Sequence, residues 1–234
     1  MSGANPAERR RSSIMSKTIT VTMQPIGSRR NTIMYTGKMR QILCQVVLLA
    51  AGLFSFAASR AAADERAAAL IEAARAQIGV TRFYDSAYRR LDWPNGDIDM
   101  ERGVCSDVVI RAYRRAFQHD LQVAVHRDMK RTFSAYPKNW GLNAPDRNID
   151  HRRVPNLQVF LARHGARLKT ADAFQPGDLV TQTVAQRLPH IAIVSDRRSA
   201  DGQRYLVIHN IGAGAVEEDT LSAFPITGHY RYFP

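Results

Sequence analysis

Cysteine is scarce in this chain, at 2 of 234 residues. One of the two, Cys44, lies inside an apolar leader, so everything downstream carries a single thiol, Cys105. An internal disulfide framework is therefore excluded there. No uncharged apolar run reaches the ~20 residues that a spanning helix needs. Acidic residues are short in one region only. Residues 1–63 hold nine Lys/Arg and one Asp/Glu, which leaves 24 of the 33 basic and 20 of the 21 acidic residues to residues 64–234. The formal charge of +12 thus sits mostly in the leader. The remainder is too weakly basic, and its basic residues too scattered, for a nucleic-acid groove. His-Glu-x-x-His spacing and a Gly-x-x-x-x-Gly-Lys loop are both missing, so neither metal, nucleotide nor other cofactor is expected. With 45% hydrophobic and 23% charged residues, collagen, coiled coil and wholesale disorder are excluded as well.

Residues 1–38 are rich in Ser, Arg and Thr without a hydrophobic period. They read as unstructured, or as an over-long gene start with Met39 the true one. Arg40 then precedes the apolar run Ile42–Ala58, whose strongest part, Val46–Ala58, has the length of a signal-peptide core. Ala61-Ala62-Ala63 offers small residues for a peptidase cut before Asp64. Residues 39–63 are accordingly expected to be a signal peptide, and residues 64–234 one exported, periplasmic domain. That domain is expected to be monomeric, with no stable membrane insertion after cleavage.

Along that domain, Asp64–Ile78 reads as an Ala-rich helix closed by Gly79. The apolar residues at 105, 108, 109, 112, 113, 116 and 117 form one stripe at helical spacing, which places Cys105 in the first turn of an amphipathic helix. Leu121–Phe133 is a weaker helix candidate. Tyr136–Arg153 is a long polar loop, and Pro155 opens a helix over Asn156–His164 that Gly165 ends. The period then changes. Pro176-Gly177-Asp178 is a turn before a strand at Leu179–Val184, and strands follow at His190–Ser195, Tyr205–Asn210 and Gly228–Phe233. Helices first and strands after argue for an α+β fold, a helical half packed on an antiparallel sheet.

A nucleophilic thiol needs a lowered pKa, a base and donors for an oxyanion. The start of a helix supplies the first and the last, because its unpaired N–H groups and partial positive charge favour a thiolate. Asp107 would cap the same turn while opposing that charge. Of the seven histidines, His119, His126 and His164 lie among charged helical residues and read as solvated. His151 reads as a loop anchor, and His229 lies near the C-terminus. His190 and His209 differ, since each is set into an apolar strand where an unpartnered ring costs ~1–3 kcal/mol. Because side chains alternate faces, only one of His209 and Asn210 can orient the His190 ring. A hairpin loop of two or four residues around Asp201-Gly202 selects His209, and a bulge or a five-residue loop selects Asn210. The expected catalytic set is Cys105, His190 and His209.

Gly103-Val104-Cys105-Ser106-Asp107, Pro176-Gly177-Asp178-Leu179, His190-Ile191-Ala192-Ile193-Val194 and Ile208-His209 resemble, in order, the motifs of NlpC/p60-type cysteine peptidases. Residues 67–234 resemble more closely the bacterial family of domain of unknown function 1287, through Gly103-Val104-Cys105, Asn148–Leu157 and His209–Gly212. The resemblance implies a papain-like fold and a thiol hydrolase acting on an amide bond in the peptides of peptidoglycan. It departs from the peptidases at Val104, which stands where they have Asp, and at Ser106-Asp107, which stand where they have Ser-Gly. The segment Trp140–Leu157 has no counterpart in them. The alternative is a non-catalytic wall-binding protein on the same fold, holding glycan or peptide through Tyr84, Tyr88, Trp93 and Trp140, although such aromatics are more often core.

Overall fold

The structure, a computed structural model, describes residues 59–234. The proposed leader before residue 59 lies outside them. Residues 59–75 form helix α1, which runs across the expected cut before Asp64 and buries Leu70, Ile71 and Ala74. Among the described residues no helix is long and apolar enough to cross a membrane. The aromatic stretch that follows carries a short strand β1 (Phe83–Tyr84), paired in parallel with β2 (Arg102–Gly103). Helices α2 (Cys105–Phe117), α3 (Leu121–Arg131) and α4 (Val154–Arg163) complete the helical half. Their boundaries have local causes. Asp120 caps α3 by accepting from the Gln122 N–H at 3.0 Å, and Pro155 occupies the first turn of α4, where a missing N–H costs nothing. The long loop before α4 ends in a 3-10 turn, Asp150–Arg152.

The second half is a six-stranded sheet made of β3 (Arg167–Leu168), β4 (Leu179–Val184), β5 (Leu188–Arg198), β6 (Tyr205–His209), β7 (Val216–Glu218) and β8 (Ile226–Tyr230). Its spatial order is β3-β8-β4-β5-β6-β7, and every pairing is antiparallel. The fold is therefore α+β with an antiparallel sheet.

Alternation along the strands sorts the side chains into two cores. Leu179, Ile191, Ile193, Ile208 and Tyr230 pack with Cys105, Val108, Val109 and Tyr113 of α2. Val180, Ala192, Val194 and Val207 turn the other way and meet Leu221. The Pro-Gly-Asp turn before β4 is a structural joint. Gly177 has φ +82°, and a Cβ there would lie 2.9 Å from that of Ala67. Asp178 is fully buried, with its carboxylate accepting from His229 Nε2 at 2.7 Å and from both Nε and Nη2 of Arg231.

Candidate active site

The stripe that starts at Cys105 also fixes where the sulfur goes. N–H groups alternate sides along a strand. On β5 the Val194 N–H donates to the Asp178 oxygen at 2.8 Å on the β4 side, so those of Ile191 and Ile193 point toward β6. Ile193 pairs with Ile208 there, and the same register would set Asn210 opposite Ile191. But β6 stops at His209. Asn210 turns away and donates from Nδ2 to the Gly103 oxygen at 3.0 Å. The two strands part, and the Cys105 sulfur takes the vacated position, facing the Ile191 N–H together with the N–H groups of Ser106 and of Cys105 itself. Asn210 thus holds the approach to α2, while the ring of His209 is left for His190.

His190 and His209 share a face, the one that Ala192, Val194 and Val207 occupy by alternation, opposite the Ile191, Ile193 and Ile208 side that packs on α2. The turn between β5 and β6, residues 199–204, is even in length, and the register offset changes by two residues between Val194 and Arg198, which keeps parity. His190 Nε2 lies 2.8 Å from His209 Nδ1, and His209 Nε2 lies 2.9 Å from Glu218 Oε1. A carboxylate only accepts, so His209 carries its proton on Nε2 and its Nδ1 must accept. His190 therefore donates from Nε2 and keeps a bare lone pair on Nδ1. That nitrogen has no hydrogen-bond partner among the described residues and is not among the sealed, unpartnered atoms. Nor does a hydrogen bond join it to the sulfur. The Ile191 N–H that meets the sulfur belongs to the residue that follows His190.

The start of α2 was expected to lower the thiol pKa, and the structure reverses this. Burial pushes the Cys105 thiol up to about 11, against the pull of the three N–H groups. The charge of Asp107 adds to the rise, although it is paired: Arg152 donates to its carboxylate from Nε at 2.9 Å and from Nη2 at 2.8 Å. The same carboxylate accepts from the Val104 N–H at 2.7 Å, and Ser106 Oγ donates to the Arg152 oxygen at 2.7 Å. Burial, and then His209, push the His190 imidazole down to about 3. Burial also lowers His209, with Glu218 opposing. At neutral pH the resting pair is a neutral thiol and a neutral imidazole.

Cys105 is nearly buried, yet it lies on the wall of a cleft of about 440 Å³ whose other walls include Tyr84, Trp140, Arg153 and Arg187. A larger hollow of about 640 Å³ beside α1, between Ala67 and Phe233, has neither cysteine nor histidine on its wall. Tyr84 and Trp140 on the cleft wall, and Tyr88 outside it, correct the expectation of core packing, since all three are exposed, while Trp93 is half-buried. Among the remaining histidines His164 is exposed, and His119 and His126 are half-buried. His151 is buried and pushed down to about 3 by burial and then by Arg152.

Two members of the site escaped the sequence reading. Glu218 sits on β7, a three-residue edge strand with no apolar alternation to betray it. Arg152 lies in the segment Trp140–Leu157 that has no counterpart in the peptidases and was expected only to frame the cleft; the charge of Asp107 was the one signal that a cation should be sought.

A family model described as a domain of unknown function (DUF1287) matches residues 71–232. The Escherichia coli (strain K12) protein named "Uncharacterized protein YijF" is 52% identical over 168 residues, covering 70% of this chain and 81% of the relative. No solved structure matches.

Proposed function

Since the chain belongs to the DUF1287 family, we propose for it, and from its own cleft, a thiol hydrolase of papain-like plan that cleaves an amide bond in peptidoglycan peptides in the periplasm. One observation carries this reading: the hydrogen-bonded line Glu218–His209–His190 ends at the residue next to Ile191, whose N–H meets the sulfur of a cleft cysteine. The motif order shared with NlpC/p60-type peptidases supports it. With substrate in the cleft, His190 Nδ1 takes the thiol proton as the sulfur attacks the amide carbon. The geometry of a free site tightens on binding, so the missing sulfur–imidazole hydrogen bond is formed at that stage. N–H groups of the first turn of α2 receive the oxyanion. The C–N bond breaks, the leaving amine takes the proton from His190, and a thioester remains on Cys105. Water, losing a proton to His190, attacks the thioester, releases the acid and restores the thiol. His209 and Glu218 hold the His190 ring in the tautomer that can accept.

Digestion of purified sacculi by the domain, followed by mass analysis of what is released, tests the reading. Wild type should release peptide fragments and Cys105→Ala none. Equal release by both would refute a thiol mechanism. The raised thiol and the exposed cleft aromatics favour one rival, a non-catalytic wall-binding protein. Sedimentation of both proteins with sacculi, and release by neither, selects that rival.

A further inference from the structure

Three guanidinium groups line the cleft, those of Arg152, Arg153 and Arg187, and no carboxylate does. Arg152 is consumed by Asp107. Arg153 is fixed but not exhausted. Its guanidinium carbon lies 4.0 Å from the centre of the Trp140 ring, and Nη1 donates to the buried carboxylate of Asp150 at 2.9 Å. Its other N–H groups have no partner among the described residues. Arg187 is exposed and makes no ion pair among the described residues. It stands on the tight turn from β4 to β5 and shares the cleft with Cys105.

That turn is held at a cost. Ala185 and Gln186 have φ of +47° and +61°, a left-handed backbone that side chains with a Cβ adopt at ~1–2 kcal/mol each. The Arg187 N–H closes the turn on the Val184 oxygen at 3.2 Å. Positive φ at both central residues matches the twist of the flanking strands of a tight hairpin, and the turn places Arg187 on the wall of the cleft. A stacked, anchored guanidinium and an unpaired one thus line the same cleft, and both offer donors to a planar anion.

We infer that the cleft takes a carboxylate-bearing peptide, with the carboxylate close to the amide that Cys105 attacks and held by Arg187 and Arg153. The inference rests on the thiol reading above and names its substrate class. It is tested by alkylating the domain at pH 9 with iodoacetate and with iodoacetamide. In both reactions a C–S bond forms as the C–I bond breaks and iodide leaves, so the reagents differ chiefly in the carboxylate. The ratio of the two rates at Cys105, read by intact mass with Cys105→Ala as the blank, should exceed the ratio for glutathione. It should drop on the order of fivefold in Arg187→Gln, recover in Arg187→Lys, and fall in the wild type as sodium chloride rises to 0.5 M. A sulfur that reacts with both reagents at the glutathione ratio, or a ratio indifferent to Arg187→Gln and to salt, overturns the carboxylate assignment alone. A sulfur inert to both overturns the thiol reading and this inference with it.

Discussion

Glu218 is a solvent-facing carboxylate that decides which nitrogen of a buried ring, two residues away through hydrogen bonds, is free to take a proton. Without it both tautomers of His209 become available, and in one of them His209 Nδ1 donates and His190 must accept on Nε2. That leaves a proton on the nitrogen that should accept one. Glu218→Ala should therefore slow fragment release from sacculi by about 10–100-fold with little loss of stability. His209→Ala should slow it at least as much; unchanged release in both variants would remove the relay from the mechanism. The pairing of His190 with His209 was expected from a loop of two or four residues; the structure reaches it by another route, a six-residue turn whose two-residue register shift preserves parity where a one-residue bulge would have selected Asn210. Glu218 was not legible, because Val216-Glu217-Glu218 pairs at an edge through backbone groups that leave no mark on side-chain pattern.

At the scale of elements, helix α2 and strand β4 were readable to the residue, the first from its unbroken apolar stripe and the second from the Pro176-Gly177-Asp178 turn before it. Strands β1, β2 and β3 were not, being two-residue pairings outside the main core. The helical start at Cys105 depends on a partner 45 residues away. Asp107 and Arg152 are both almost fully buried, and Arg152 also donates to the oxygens of Ala87 and Asp85, binding the aromatic segment to the loop before α4. Such a pair is costly to break from one side, because the survivor is a buried unpaired charge. Arg152→Ala should lower unfolding free energy by about 3–5 kcal/mol in urea melts. The double variant with Asp107→Asn should lose clearly less than the sum of the two single losses. Strict additivity would mean that the pair does not stabilise the start of α2.

For the molecule as a whole, two buried imidazoles set the acid limit. His151 and His190 are held near 3 in the folded state, while an unfolded histidine titrates near 6.5. Between those values the unfolded chain binds the extra protons, so stability falls as pH falls, by up to about 1.4 kcal/mol per pH unit for each ring. Asp128 is held at about 2, its burial outweighed by Arg163 and Tyr136, and it extends the decline below the ordinary aspartate range. Urea midpoints should drop steadily from pH 7 to pH 4, and a flat profile would mean that these rings are not buried neutral. The histidine relay and the thiol also differ in how far the chain must travel to build them. His190 and His209 are 19 residues apart, and His209 and Glu218 are 9, whereas the clasp of Asn210 on Gly103 spans 107. Short loops close at the smaller entropic cost, so the meander can gather its proton line early, while the sulfur reaches it only when the distant half docks. A chain caught partway through folding would already hold the paired imidazoles while the sulfur was still far from them.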